Sequence, residues 1–228
     1  MKKQNLAKPR HKFRPISWTV QAYRHLVKVK TPHIVVTGIP RSGTTLLYQM
    51  IRNCTTARTW PIEISALTPE VINAKGTPIV SKDPNDLLAS KRIERIYKNI
   101  RFIATWRDPR EILASKLHGR YWVEPEDYLT WYDQIEKNRD NEKFTIIKFI
   151  ELIDNPERIE KIVRKHGITI THPFREYYKY APEGEFSGIA RPLDRTTLKK
   201  WQKPENIERI RRALEEYPIL NEIVEKYK

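Results

Sequence analysis

The chain of 228 residues carries 43 Lys plus Arg against 28 Asp plus Glu, which gives a formal charge of +15. This length fits one domain with its own hydrophobic core, and the positive charge indicates an anionic partner such as a nucleotide, nucleic acid, a membrane face or a sulfated or phosphorylated molecule. The one cysteine, Cys54, excludes an internal disulfide and fits a reducing compartment. We expect a cytoplasmic protein without a membrane span, because no stretch of about 18 apolar residues is present and the basic N-terminus lacks the apolar segment of a secretory signal.

Short apolar, β-branched runs alternate with stretches of helical periodicity, which is typical of an α/β protein with a parallel sheet flanked by helices. The predicted strands are Ile34 to Thr37, Pro78 to Ser81, Phe102 to Trp106 and Phe144 to Phe149. The predicted helices are Thr44 to Asn53, Asn85 to Lys98, Arg110 to His118, Pro125 to Arg139, Pro156 to His166, Pro204 to Glu216 and Ile219 to Tyr227. We predict a single domain over residues 31–228, preceded by a basic extension over residues 1–30. The aromatic, proline- and glycine-containing stretch from Ile168 to Asp194 is predicted as a long loop that forms a lid.

The segment GIPRSGTTLL, from Gly38 to Leu47, follows the first predicted strand and opens the first predicted helix. Its glycine spacing is that of a phosphate-binding loop, G-x-x-x-x-G-K-[ST], in which backbone N–H groups and a helix N-terminus bind phosphate. Thr44 occupies the position of the lysine that binds a triphosphate, and a basic residue lies inside the loop instead. The candidate phosphate-binding residues are Pro40, Arg41, Ser42, Gly43, Thr44 and Thr45.

A second candidate element is RFIATWRDPREILAS, a strand that ends at Arg107 and a helix that carries Ser115. Residues at the carboxyl ends of parallel strands meet where open α/β folds bind ligands. An arginine and a hydroxyl there suit a second phosphate, although Arg107 with Asp108 alone is also compatible with a surface ion pair.

Together, PRSGTT and the downstream R-D-P-R-x-x-x-x-S resemble the two nucleotide-binding elements of sulfotransferases that use 3′-phosphoadenosine 5′-phosphosulfate (PAPS). The resemblance implies an α/β phosphate-loop fold, with the loop on the 5′-phosphosulfate and with Arg107 and Ser115 on the 3′-phosphate. It also implies that Arg41 is the basic residue of the loop. PAPS has no γ-phosphate, so the absence of the lysine agrees with this donor.

By the same resemblance, TWPIEIS places Glu63 where tyrosylprotein and several carbohydrate sulfotransferases have a general base. VSKDP places Lys82 where a lysine assists sulfuryl transfer. The chemistry requires such a pair, a carboxylate that accepts the acceptor's proton and a cation beside the bridging oxygen. The alternative that Glu63 is a helix cap or a surface carboxylate stays open. The histidine of the cytosolic small-molecule branch is replaced by Pro84, and we predict His118 to be a helix cap.

The late segment RTTLKKW resembles the part of sulfotransferases that closes over the nucleotide. It makes Thr196, Thr197, Lys199 and Trp201 candidates for nucleotide binding, with Trp201 in the core as the alternative. No metal-ligand spacing is present, so we expect a metal-independent enzyme that uses PAPS and releases adenosine 3′,5′-bisphosphate (PAP). The acceptor is a hydroxyl compound of open identity, with Tyr121, Trp122 and Trp131 as a possible stacking platform.

Two alternatives belong to other classes of protein. A small-molecule kinase would use the phosphate loop with ATP and Mg²⁺, but it needs the lysine that Thr44 replaces. A nucleic-acid-binding protein with a degenerate loop would account for the charge, but the basic residues form no known recognition motif, and we expect no specific nucleic-acid partner.

Overall fold

The computed structural model describes residues 29–181, 190–196 and 198–227. The strands are β1 (His33–Gly38), β2 (Ile79–Lys82), β3 (Ile100–Trp106), β4 (Lys116–Leu117), β5 (Arg120–Tyr121) and β6 (Phe144–Lys148). The α-helices are α1 (Thr44–Cys54), α2 (Pro69–Ile72), α3 (Ser90–Ile96), α4 (Pro109–Leu113), α5 (Pro125–Lys137), α6 (Phe149–Asp154), α7 (Pro156–Lys165), α8 (Pro204–Glu216) and α9 (Ile219–Tyr227). Short 3₁₀ segments cover Pro84–Leu87, Phe174–Tyr180 and Lys200–Gln202.

The centre of the molecule is a four-stranded parallel sheet in the order β2-β1-β3-β6. Successive side chains of a strand point to opposite faces, and β1 buries both. Val35 contacts one hydrophobic cluster, while Ile34 and Val36 contact the other. Helices cover both faces, so the predicted fold class, a single α/β domain with a parallel sheet, is confirmed.

All four predicted strands are present, with ends that differ by one or two residues. Phe149, predicted as the end of the last strand, instead begins α6. Cys54 is buried at the end of α1. The short helices α2 and α6 were not predicted, because each has fewer than two turns and shows no helical period in the sequence.

Two predicted helices are wrong in part. The helix from Asn85 to Lys98 is divided into the 3₁₀ segment and α3. The helix from Arg110 to His118 ends at Leu113, and the chain then forms the hairpin β4-β5. His118 and Gly119 have φ values of 50° and 78° in its two-residue turn, a geometry that matches the strand twist. His118 is therefore a turn residue and not a helix cap.

Part of the predicted lid from Ile168 to Asp194 is the 3₁₀ segment Phe174–Tyr180, which packs on α1. Residues 182–189 of this lid lie outside the described residues, as do residues 1–28 of the predicted basic extension. Among the described helices, none is both long and apolar enough to cross a membrane.

Candidate active site

A cavity of about 830 Å³ opens at the carboxyl ends of β1, β2 and β3. The loop after β1, the last residue of β2 and the residue after β3 all reach it, because parallel strands end on the same side of a sheet. The predicted site residues that line the cavity are Pro40, Arg41, Gly43, Thr44, Thr45, Glu63, Lys82, Arg107 and Ser115. The sequence elements that carry them are up to 75 positions apart, and the fold brings them to one place.

The loop depends on two glycines in backbone conformations that other residues rarely adopt. Gly38 has φ 137°, and a Cβ atom there would lie 2.2 Å from the carbonyl oxygen of Thr105. Gly43 has φ 104°, and its Cβ would lie 2.5 Å from the Phe149 ring. Arg41, between them, also has a positive φ of 70°. The loop therefore lies directly against β3 and α6, and its path requires glycine at both positions.

Ser42 fastens the loop to β3. Its hydroxyl donates to the Thr105 carbonyl at 2.8 Å and lies 2.6 Å from the Thr105 hydroxyl, while its N–H donates to the Ile39 carbonyl. The Ser42 side chain is buried and does not line the cavity. Ser42 thus shapes the loop, while Thr44 and Thr45 at the start of α1 line the cavity.

Lys82 is a buried cation at the end of β2. Its Nζ forms an ion pair with Glu63 and donates to the Thr45 hydroxyl at 3.0 Å. Burial lowers the pKa of Lys82 to about 8, an effect that Asp83 opposes and Arg41 strengthens. The ammonium group is therefore still mostly protonated at neutral pH and lies beside the phosphate loop.

Glu63 is held next to Lys82 by backbone pairing. Ile64 forms an antiparallel bridge with Lys82, with N–H to carbonyl distances of 3.0 and 3.2 Å in the two directions. The Glu63 side chain is 52% exposed and lines the cavity. Glu63 is not the N-cap of any described helix, and its role as a proton acceptor, with an exposed surface carboxylate as the alternative, stays a prediction.

Asp86 is a buried residue behind the cavity wall that could not be identified from the sequence, and it does not line the cavity itself. Its Oδ1 accepts from the Ser65 hydroxyl at 2.5 Å, and its Oδ2 accepts from the Ala66 N–H at 2.8 Å. Burial raises the pKa of Asp86 to about 7, against these two hydrogen bonds. The carboxyl group fixes the segment that follows Glu63. An aspartate close after K-D-P was the available signal, but only folding brings it to Ser65.

Arg107 lies between β3 and α4, where Asp108 caps the helix by accepting from the Arg110 N–H at 2.9 Å. Its guanidinium lies over the Phe149 ring, 4.1 Å from the centroid, and its Nη2 is 3.2 Å from Glu111 Oε2. Burial lowers the pKa of Arg107, and Glu111 opposes this effect.

Arg41 and Ser115, assigned to different phosphates by the resemblance, are in contact in this structure. Arg41 Nε donates to Ser115 Oγ at 3.0 Å. Ser115 is buried just after α4, and burial also lowers the pKa of Arg41. The two predicted phosphate sites are therefore adjacent.

No family model and no curated protein matches this sequence. Solved structures do match. The sulfotransferase domain from the Synechococcus PCC 7002 olefin synthase aligns with a TM-score of 0.53 and 14% identity over 81% of this chain and 94% of that chain. The sulfotransferase domain from the curacin biosynthetic pathway aligns with a TM-score of 0.53 and 14% identity over 83% of this chain and 99% of that chain. Mouse sulfotransferase SULT7A1, complexed with PAP, aligns with a TM-score of 0.53 and 12% identity over 93% of this chain and 94% of that chain.

The chain has the sulfotransferase fold. The expected α/β architecture with a central parallel sheet is thereby confirmed, and the cavity lies at the carboxyl ends of its strands, while phosphate binding by the glycine loop stays a prediction. Since sequence identity to these proteins is only 12–14%, the roles of individual residues depend on the geometry of this chain.

The late segment of this sulfotransferase fold lies differently from the prediction. Thr196 is exposed and donates to Asp194, and Trp201 packs against the core with Arg110 stacked 4.2 Å from its ring centroid. Neither residue is among those that line the cavity, and Thr197 lies outside the described residues. Lys200 and Arg191, which were not predicted, line it instead.

Part of the cavity wall is apolar. Trp122 and Trp131 line it together with Leu117 and Val123, and Trp122 is 57% exposed. Tyr121 points away, because its hydroxyl is 2.9 Å from Asn206 Oδ1. Within the described ranges, no three His, Cys, Asp or Glu side chains form a metal-binding group, and metal independence stays a prediction.

Proposed function

We propose that this protein is a sulfotransferase that moves a sulfuryl group from PAPS to the hydroxyl of an acceptor. The observation that carries the proposal is that the glycine loop, the Lys82–Glu63 pair and Arg107 with Ser115 line one cavity. These are the residues that the resemblance to PAPS-dependent sulfotransferases assigns to donor binding and transfer. The sulfotransferase fold of the chain supports the same conclusion.

The cavity suits a nucleotide with two separate anionic groups. Its volume of about 830 Å³ is within the range of small-molecule sites. The N-terminus of α1 directs backbone N–H groups and the positive end of the helix dipole at one anion. Arg107 and Ser115 supply an arginine and a hydroxyl for the other. We infer that Arg41, which contacts Ser115, lies between the two anions.

In this proposal the donor supplies an activated sulfuryl group, and the protein positions it and moves one proton. Glu63 accepts the proton of the acceptor hydroxyl. Lys82 stabilises the negative charge that develops on the bridging oxygen, and its bond to Thr45 holds it at the loop. Because Lys82 is buried and already held by Thr45 and Glu63, it stabilises that charge without reorganisation.

The acceptor would bind along the part of the cavity wall that Trp122 and Trp131 form. Carbohydrate, peptide tyrosine, lipid and small alcohol acceptors all have the hydroxyl that the mechanism requires. Tyr121, one of the three residues predicted as a stacking platform, does not line the cavity, so the platform reduces to the two tryptophans.

A thermal-shift titration with PAP, compared with ATP plus Mg²⁺, tests the proposal. Ligands that bind the folded state raise the Tm by mass action. We expect PAP to stabilise the wild type, and Arg107→Ala to lose most of the shift. Arg164→Ala, a change of the same charge at an exposed position in α7, should keep it.

Other outcomes separate the alternatives. Stabilisation by ATP plus Mg²⁺ alone would indicate a kinase. Binding of an unrelated nucleic acid, with an affinity that falls steeply with salt and no response to PAP, would indicate the nucleic-acid-binding alternative.

A further inference from the structure

Glu111 is a buried carboxylate that joins two distant parts of the cavity wall. It lies in α4 and is 4% exposed. Its Oε2 accepts from Arg107 Nη2 at 3.2 Å and from the Lys200 N–H at 3.3 Å. Its Oε1 accepts from the Lys199 N–H. One side chain therefore connects the arginine at the end of β3 to a backbone turn that lies almost 90 residues after Glu111 itself.

The backbone turn has a conformation that needs such support. Lys199 has φ 62°, which is uncommon for a residue other than glycine, and it precedes the 3₁₀ segment Lys200–Gln202. Consecutive N–H groups at Lys199 and Lys200 point at the same carboxylate. The hydrogen bonds to Glu111 offset the conformational cost of this turn.

The turn brings the Lys200 side chain to the cavity that Arg107 lines. Burial lowers the pKa of Lys200, the nearby charges of Arg107 and Arg41 lower it further, and the Glu111 carboxylate opposes these effects. Cations that repel one another at short range are kept together only if the fold holds them, and a bound anion relieves their repulsion. This arrangement is that of an anion site formed before its ligand binds.

A carboxylate beside an anion site is unfavourable by charge alone. The three hydrogen bonds that Glu111 accepts give a geometric reason for a carboxylate at this position. We propose that Glu111 is a positioning residue that fixes Arg107 and Lys200 as one preformed site for the 3′-phosphate of the nucleotide. This inference rests on the proposed function, because it takes from it the nucleotide and the assignment of Arg107 to that phosphate.

The experiment measures the contribution of the 3′-phosphate to binding. Dissociation constants of PAP and of adenosine 5′-monophosphate, which lacks the 3′-phosphate, are measured by calorimetry. The dissociation constant of adenosine 5′-monophosphate divided by that of PAP gives the contribution of the 3′-phosphate. The variants are Glu111→Gln and Lys200→Gln. The controls are Glu94→Gln, which removes a carboxylate paired with Lys143, and Lys203→Gln, an exposed lysine close in sequence to Lys200.

We expect the ratio to fall about tenfold in each of the two test variants, the effect of losing one or two hydrogen bonds to a charged group. Glutamine keeps the size of Glu111 but turns an amide NH₂ toward groups that are all donors. Binding of adenosine 5′-monophosphate should change little, and the controls should keep the wild-type ratio. In the double variant the effect should be smaller than the product of the single effects.

The opposite result has a clear physical meaning. If Glu111 only offsets positive charge, Glu111→Gln removes a repulsion and PAP binds more tightly, which overturns the proposal. An unchanged ratio overturns it as well. If Glu111→Gln does not fold, Lys200→Gln decides, since a wild-type ratio in that variant is incompatible with the site. A wild type that does not bind PAP overturns the proposed function and this inference together, whereas PAP binding with unaltered variants overturns only the inference.

Discussion

The Lys82 ammonium group donates a hydrogen bond to the Thr45 hydroxyl at 3.0 Å, across 37 residues of sequence. The contact joins the end of β2 to the first turn of α1 and holds a buried cation at the phosphate loop. In an ATP-binding loop, a lysine of the loop itself occupies this region. Here Thr44 stands at that position, and a neighbouring strand supplies the cation.

Removal of the positive charge of Lys82 or of Arg41 should reduce turnover without unfolding the protein. We expect Lys82→Ala and Arg41→Ala to lower turnover by orders of magnitude, because each removes a fixed positive charge from the site of transfer. Release of PAP from PAPS, in the presence of an acceptor, measures the rate, and circular dichroism checks the fold. Lys98→Ala, at an exposed position, is the control. Wild-type turnover in either test variant would contradict the assigned roles.

Glu63→Gln separates proton transfer from donor binding. The amide cannot accept the proton of the acceptor hydroxyl, so we expect turnover to fall at least about a hundredfold, the lower range for a general base. PAP binding should change little, since the side chain is half exposed and contacts Lys82 and not the loop. Steady-state kinetics and calorimetry on the same variant provide the two values. If Glu63→Gln reduced turnover and PAP affinity to the same extent, Glu63 would have a role in donor binding instead of proton transfer.

The glycine at the start of α1 should tolerate no side chain. Gly43→Ala adds a Cβ at 2.5 Å from Phe149 and keeps φ 104°, whereas Gly76→Ala meets no atom within 4 Å at φ 95°. The second variant therefore reports the backbone strain alone, about 1–2 kcal/mol. We expect Gly43→Ala to lower the free energy of unfolding by more than Gly76→Ala and to weaken PAP binding. Urea unfolding of the two variants measures the difference, and equal losses would contradict the predicted clash.

His33 should make the protein less stable in acid. Its ring is buried, with Nε2 2.8 Å from Ser81 Oγ, and burial lowers its pKa from 6.5 to about 3. The unfolded chain therefore binds a proton between these pH values that the folded protein does not bind. Stability from this group is present above pH 6.5 and declines by about 1.4 kcal/mol per pH unit below it.

The measurement for His33 is the free energy of unfolding of wild type and His33→Gln between pH 4 and pH 8. We expect the variant to lose less stability on acidification. His118→Asn, in an exposed turn where asparagine tolerates a positive φ, should follow the wild type. Parallel curves for wild type and His33→Gln would show that His33 does not control the acid response.

Asp86 should have the opposite pH effect. Its pKa is raised by burial from 3.8 to about 7, so the folded protein holds a proton that the unfolded chain has lost. Its contribution to stability therefore decreases as pH rises from about 4 to about 7. Asparagine can replace the protonated form, since its oxygen can accept from Ala66 and its NH₂ can donate to Ser65.

We expect the Tm of Asp86→Asn, relative to wild type, to rise over this pH range. Asp140→Asn, at an exposed position, is the control and should show a constant difference. Because His33 and Asp86 act in opposite directions, the wild type alone can appear insensitive to pH. A Tm difference for Asp86→Asn that does not vary with pH would contradict the predicted linkage.

The fold could be predicted largely from local patterns. The four strands are short β-branched runs, and each helix longer than two turns has an apolar period that a single stretch of sequence displays. The hairpin β4-β5 could not be predicted in this way, because each strand has two residues and the helical pattern of Arg110 to His118 continues through it. In the same region, a turn with two positive φ values overrides helical propensity.

The sequence by itself determined the fold class, the loop with its two glycines and the positions of Lys82 and Arg107 at strand ends. These features depend on neighbouring residues or on one strand-to-helix connection, so a short stretch of sequence is enough to predict them. Only the tertiary structure decided that Arg41 contacts Ser115, that Asp86 holds the segment after Glu63, and that Glu111 joins Arg107 to Lys200. Each of these contacts closes a long loop of chain, and its geometry exists only after the packed core has set the distance between the elements.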